Sequence, residues 1–289
     1  MERQFKSCRK KIEASLKGAL PKDKSGISRA MRYSVLGGGK RLRPLLLIAA
    51  YESLGGLTSR PVLRIACAIE FIHSFSLIQD DLPAMDNDDY RRGRLTAHKA
   101  FKEDIALLAS DALLNEAYRI ALENEGIGGK LRVKTALELT AAVNRLLEGQ
   151  EKDLSLSRLK PRTLSELDKI YLNKTAALIT CCLRIAGILR GVSGRQLNCL
   201  SSFGQRLGLA FQIQDDILNV TGDKQALRGK RFSDRRRGKI TYVSIAGIEK
   251  SKGIVTRLIK EAKKDLEKIK NLDKGRLFGF CEVILRRTY

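Results

Sequence analysis

Apolar residues recur at three- and four-residue spacing across 104–123, 131–148, 164–190, 196–220 and 254–271, and no stretch alternates apolar with polar at period two. That spacing gathers apolar side chains on one face of a helix, where a strand would scatter them over both sides. Prolines occur only at 21, 44, 61, 83 and 161, and Pro83 interrupts an otherwise helical pattern, so a helix is predicted to end there. Thr163 with Glu166, and Ser193 with Gln196, have the spacing of capping boxes. Gly126, Gly128 and Gly129 mark one turn between helices, and Gly191 marks another. No composition shift demands a boundary. The prediction is an all-α chain, one large helical domain over 1–289 with roughly ten or more helices. Helices 66–80 and 203–220 are apolar almost all round and should be central.

The 289 residues are 43% hydrophobic and 30% charged, the balance of a soluble globular protein. Apolar runs such as 45–50 fall far short of the ~20 residues that cross a bilayer. The segment from Met1 to Lys6 has no apolar stretch, so no secretory signal is expected. Six cysteines without a Cys-x-x-Cys pair, and only His73 and His98, argue against zinc and read as core thiols of a reduced cytoplasmic protein. The net charge of +23 points to anionic partners. Seven of the twelve residues from Arg228 to Lys239 are Lys or Arg, whereas the basic stretch 257–276 carries acids at helical spacing and reads as a salt-bridged face. No finger spacing, RNP-like strand or tryptophan supports specific nucleic-acid binding; weak attraction to an anionic surface is the remaining expectation.

Each of the two apolar helices ends in carboxylates. The first carries Asp80, Asp81 and Asp86 followed by Arg91 and Arg92; the second carries Asp215 and Asp216 with Asn219 one turn on. Clustered carboxylates at the end of a buried helix repel one another and need a cation. Hard oxygens without Cys or His suit Mg²⁺, which keeps few protein ligands and fills its shell with water and phosphate oxygens. Arginines beside them are bidentate phosphate donors. Carboxylates and arginines together suggest a diphosphate bridged to Mg²⁺. Gly37-Gly38-Gly39-Lys40-Arg41-Leu42-Arg43-Pro44 lacks P-loop spacing and reads either as a basic cap or as a second diphosphate site.

These motifs, with Gly149-Gln150-x-x-Asp153-Leu154, Lys174-Thr175, Phe211-Gln212-x-x-Asp215-Asp216 and Gly238-Lys239-x-Thr241-Tyr242, stand in the order of the trans-prenyl (polyprenyl) diphosphate synthases. The sequence resembles that family from about Arg29 to Tyr242, and within it the bacterial farnesyl diphosphate synthases. The resemblance implies the isoprenoid synthase fold, helices around a central apolar cavity, and a homodimer. It implies that Asp80, Asp81 and Asp86 form one Mg²⁺-binding set and Asp215 and Asp216 another, together holding three Mg²⁺ on an allylic diphosphate. Arg91, Lys174, Lys230 and Lys239 would grip that diphosphate. Lys40, Arg43, His73 and Arg92 would bind isopentenyl diphosphate. Thr175 and Gln212 would sit near the allylic carbon, and Phe75, five residues before Asp80, would cap the growing chain at fifteen carbons.

The implied reaction is ionisation, condensation and elimination, which needs no nucleophilic side chain. Isopentenyl diphosphate would join dimethylallyl or geranyl diphosphate to give farnesyl diphosphate. Geranylgeranyl diphosphate synthesis and a non-catalytic subunit of a heteromeric synthase are the alternatives. The sequence departs from the family pattern at Asn219, where a third Asp is usual, at Asn173, where a His is frequent, and between Lys230 and Lys239, which is about one residue short.

Overall fold

The computed structural model describes residues 2–159, 163–221 and 240–286, and the side chains of all of these except 2–4 and 156–159. Lys230 and Lys239 lie outside the described residues. In chain order the helices are α1 (Glu2–Ala19), α2 (Gly26–Leu36), α3 (Leu42–Ser53), α4 (Arg60–Asp81), α5 (Ala97–Phe101), α6 (Glu103–Leu122), α7 (Gly129–Leu159) and α8 (Leu164–Tyr171). A π-helical turn (Leu172–Ala176) leads into α9 (Ala177–Leu189), followed by α10 (Gly194–Thr221), α11 (Tyr242–Ala246), α12 (Ile248–Glu267) and α13 (Lys274–Leu285). The expected all-α class is what is found. The one departure among the described residues is a ribbon of two two-residue strands, β1 (Tyr90–Arg91) and β2 (Arg94–Leu95), paired antiparallel. Its turn places Arg92 and Gly93 at φ 55° and 74°, the left-handed geometry a tight hairpin requires. A two-residue strand is too short for any period-2 signal.

The chain divides into two compact units, Met1–Ile48 with Leu57–Leu139, and Ala49–Gly56 with Thr140–Tyr289. In the first, α4 is the central element: Ile65, Ile69, Phe71, Ile72 and Phe75 are buried and pack with α6 and α1. Pro61 lies in its first turn, where the missing N–H costs nothing. The helix ends at Asp81 because Leu82, which precedes Pro83, is extended with ψ 152°. In the second unit, α10 holds the centre through Phe203, Leu207, Ala210 and Ile213, packed with α9 and α12. Both capping boxes form. Thr163 accepts from Glu166 N, and Ser193 N donates to Gln196 while Ser193 Oγ accepts from Gln196 N.

The stretches Arg60–Asp81 and Leu164–Leu189 are long and apolar enough to cross a membrane by length and composition, yet 67% of each apolar window is buried within the protein. They are core elements. All six cysteines are unbridged.

Candidate active site

The first unit brings together the end of α4, the ribbon and the glycine-rich loop. Asp86 N donates to Asp80 O at 2.8 Å, so the chain folds back after Pro83 as the proline predicts. Asp81 is buried, and Arg91 on β1 reaches it with Nε at 2.8 Å from both carboxylate oxygens and Nη2 at 2.6 Å from one. Burial pushes the Asp81 carboxyl up, while the Arg91 guanidinium pulls it down. Next on the ribbon, Arg92 donates to Gly38 O of the glycine loop. Gly39, at φ 132°, lets that guanidinium lie flat on the backbone: a Cβ there would stand 2.7 Å from Arg92 Nη1.

Arg41 fixes the loop from beneath. Its backbone is left-handed at φ 52°, and its guanidinium is fully buried. It donates to Glu13 on α1 at 2.8 Å, to Glu70 on α4 at 2.7 Å and to Val35 O on α2 at 2.7 Å. Three helices are thereby tied to the residue between Lys40 and Arg43. Arg43 Nη1 lies 3.3 Å from His73 Nε2, so the ring nitrogen accepts. Burial, then Arg43 and Arg92, hold the His73 pKa well below its ordinary range, and the imidazole is neutral. A shallow depression in this unit is bordered by Arg91, Arg92 and Arg94, with Tyr33, Leu77 and Ile78 at its apolar side.

In the second unit, Lys174 and Thr175 sit on the π turn. Lys174 Nζ donates to Asp153 at 2.7 Å, and Thr175 Oγ1 donates to Gln212 Oε1 on α10 at 2.8 Å. Asp216 is buried. Its Oδ2 accepts from Tyr171 Oη at 2.6 Å and from Tyr242 N at 3.0 Å. Tyr242 Oη in turn donates to Asp168. Burial first, then Asp216, raises the Tyr171 phenol well above its ordinary pKa. Asp215, its neighbour on α10, is only half-buried. Among the described residues no three Asp, Glu, His or Cys side chains converge as a complete metal cage. The backbone bond from Asp86 to Asp80 holds the two aspartates close along the chain, and hard carboxylates of this kind suit Mg²⁺, which binds through one or two carboxylates and takes its other ligands from phosphate and water.

The network of Glu13, Arg41 and Glu70 and the pair Tyr171 and Tyr242 were not anticipated. Glu70, a lone acid inside the apolar run 65–72, was the one signal available for the first; the second joins residues 45 and 26 positions from Asp216, beyond any local pattern.

Residues 24–274 match the family model for polyprenyl synthetase. The chain belongs to the polyprenyl synthetase family. It is 41% identical to the farnesyl diphosphate synthase of Micrococcus luteus over 86% of each chain. It is 42% identical to the chloroplastic geranylgeranyl pyrophosphate synthase of Catharanthus roseus, over 83% of this chain and 68% of that one. Its structure superposes on an FPP/GFPP synthase of Zymomonas mobilis with a TM-score of 0.86 at 31% identity, covering 98% of this chain and all of that one. The fold is that of the isoprenoid synthases, and the family's activity is prenyl transfer between diphosphates.

Proposed function

We propose that this prenyltransferase condenses isopentenyl diphosphate with dimethylallyl or geranyl diphosphate, requires Mg²⁺, and stops at farnesyl diphosphate. The observation that carries this reading is the end of α4, where Asp86 is folded back onto Asp80 beside a guanidinium seated on Asp81. Carboxylates and arginines gathered at one helix end suit a metal-bound diphosphate.

Bound Mg²⁺ would supply charge neutralisation of the departing diphosphate. In the first unit, Asp80, Asp81 and Asp86 are the proposed metal-binding set, and Arg91 a diphosphate donor. Lys40, Arg43 and Arg92 are the proposed donors to isopentenyl diphosphate. Neutral His73 accepts from Arg43 and so orients that guanidinium without adding charge of its own. In the second unit, Asp215 and Asp216 are the second proposed metal set, with Lys174 as diphosphate donor. The Thr175 hydroxyl and Gln212 amide are neutral oxygen groups that stabilise an allylic cation without capturing it. Lys230 and Lys239 keep their proposed diphosphate role on the resemblance alone.

Phe75 is 2% exposed on α4, more than a turn below Asp80, and is the proposed stop at fifteen carbons. The second reading, a twenty-carbon product, is favoured by relatives of comparable identity named geranylgeranyl pyrophosphate synthase.

A homodimer is also proposed. Leu107 and Leu108 on α6, and Val133 and Leu137 on α7, are 45 to 64% exposed, apolar side chains of the kind a second copy would cover. Light scattering should return the mass of two chains, and a single-chain mass would refute it. The activity is tested by incorporation of labelled isopentenyl diphosphate into acid-labile product, with Mg²⁺ and with EDTA. Incorporation that depends on Mg²⁺ is expected; none in folded protein would give the non-catalytic reading the lead.

A further inference from the structure

The π-helical turn Leu172–Ala176 is wedged by glycines from two helices of the second unit. A π turn is an unfavourable geometry that appears as an isolated bulge, often at functional sites, and needs its surroundings to hold it. A Cβ added at Gly149 on α7 would lie 2.3 Å from Lys174 N and 2.7 Å from Lys174 Cα. One added at Gly208 on α10 would lie 2.4 Å from Ala176 Cβ and 2.5 Å from Ala176 Cα. One turn earlier on α10, Gly204 meets Thr180 Cα in the same way, at 2.8 Å. These contacts are with backbone atoms, or with an alanine Cβ fixed directly to them, which cannot swing aside. None of the three glycines has positive φ, so conformational freedom does not explain them. Glycine inside a helix is unfavourable relative to alanine, and what it provides at these positions is space.

We propose that Gly149 and Gly208 are positioning residues that clamp the π turn at Lys174 and Ala176, on either side of Thr175, and so set the directions of the Lys174 and Thr175 side chains. This rests on the reading that those two side chains serve the allylic substrate. Relaxing the π turn towards α-helix would change the register by one residue, a rotation of about 100°. That would take Lys174 from Asp153 and Thr175 from Gln212, now at 2.7 and 2.8 Å. Displacement of a catalytic group by about 1 Å can cost about 10²-fold in rate.

The test compares Gly149→Ala and Gly208→Ala with the parent and with Gly253→Ala, a helical glycine with nothing within 4 Å of its added Cβ. Steady-state kinetics are run well below each protein's melting temperature, and hydrogen exchange is followed at the amides of 172–176. The clamp predicts a kcat lowered about 10- to 100-fold in both variants, KM for isopentenyl diphosphate changed less than about twofold, and faster exchange confined to the turn. The control should match the parent. Folded variants that retain the parent's kcat and exchange would overturn the proposal. If Gly208→Ala does not fold, the pair Gly208→Ala with Ala176→Gly removes the opposing Cβ but leaves the Cα that Ala176 presents at 2.5 Å; it should fold with the turn displaced and show the same kcat loss. Failure of that pair to fold would assign the glycines a purely structural role and overturn the proposal as well. A parent without condensation activity would sink the catalytic reading of Lys174 and Thr175, and the exchange result would then decide the clamp by itself.

Discussion

The phenol of Tyr171 donates to Asp216 Oδ2 at 2.6 Å, on the same oxygen that receives Tyr242 N at 3.0 Å. The second aspartate of the pair on α10 thereby ties the end of α8 to the first residue of α11. Its neighbour Asp215 is more exposed, so the two aspartates stand in different environments one residue apart.

Tyr171→Phe should therefore destabilise the protein by about 1–3 kcal/mol, the range for removing a hydrogen bond to a buried charged group. Urea unfolding with an unchanged m-value is the check. A loss under a few tenths of a kcal/mol would mean that the phenol contributes nothing net.

Arg41→Ala should cost more, about 3–5 kcal/mol, because it leaves Glu70, 2% exposed, as an unpaired charge inside α4. Arg41→Lys should recover only part, since an ammonium cannot reach Glu13, Glu70 and Val35 O at once. A double variant Arg41→Ala with Glu70→Gln should be less damaged than Arg41→Ala by itself. Denaturation curves of the three variants decide this.

His73 gives a pH signature. Its folded pKa is depressed below the ordinary histidine value of 6.5, so the unfolded chain takes up this proton first as pH falls. The stability it contributes is present above pH 6.5 and is lost on acidification, at a slope of up to about 1.4 kcal/mol per pH unit. His73→Gln keeps an acceptor for Arg43 and should flatten that part of the profile. An identical profile for the variant would show that another group carries the acid sensitivity.

The metal-binding expectation is tested by Asp80→Asn. Folding should be unaffected, since Asp80 is half-buried at a helix end, and kcat should fall by about 10²-fold or more from loss of electrostatic stabilisation of the leaving group. Circular dichroism and the labelled-substrate assay read the two effects separately.

Much of this was legible in the sequence, and the reason is physical. Helical periodicity, the Pro83 break and the capping boxes are local, and each is found where the residues indicate. The carboxylates and arginines were legible because their chemistry is extreme for the end of an apolar helix. The ribbon at 90–95 was too short to leave a pattern. The buried partners of Asp81 and Asp216 were not legible either. Arg91 is ten residues from Asp81 across an irregular turn, and Tyr171 and Tyr242 meet Asp216 only through packing of α8, α10 and α11. The π turn was hidden too, because nothing in Leu172–Ala176 differs in composition from an α-helix; the signal lay in Gly149 and Gly208.

The most direct test is the chain length of the product formed from isopentenyl diphosphate and geranyl diphosphate with Mg²⁺, for the parent and for Phe75→Ala. Farnesyl diphosphate is expected from the parent and longer products from the variant. A twenty-carbon product from the parent, or a variant that still stops at fifteen carbons, would contradict the assignment of Phe75 as the residue that ends the chain, and no condensation at all would contradict the assignment of activity.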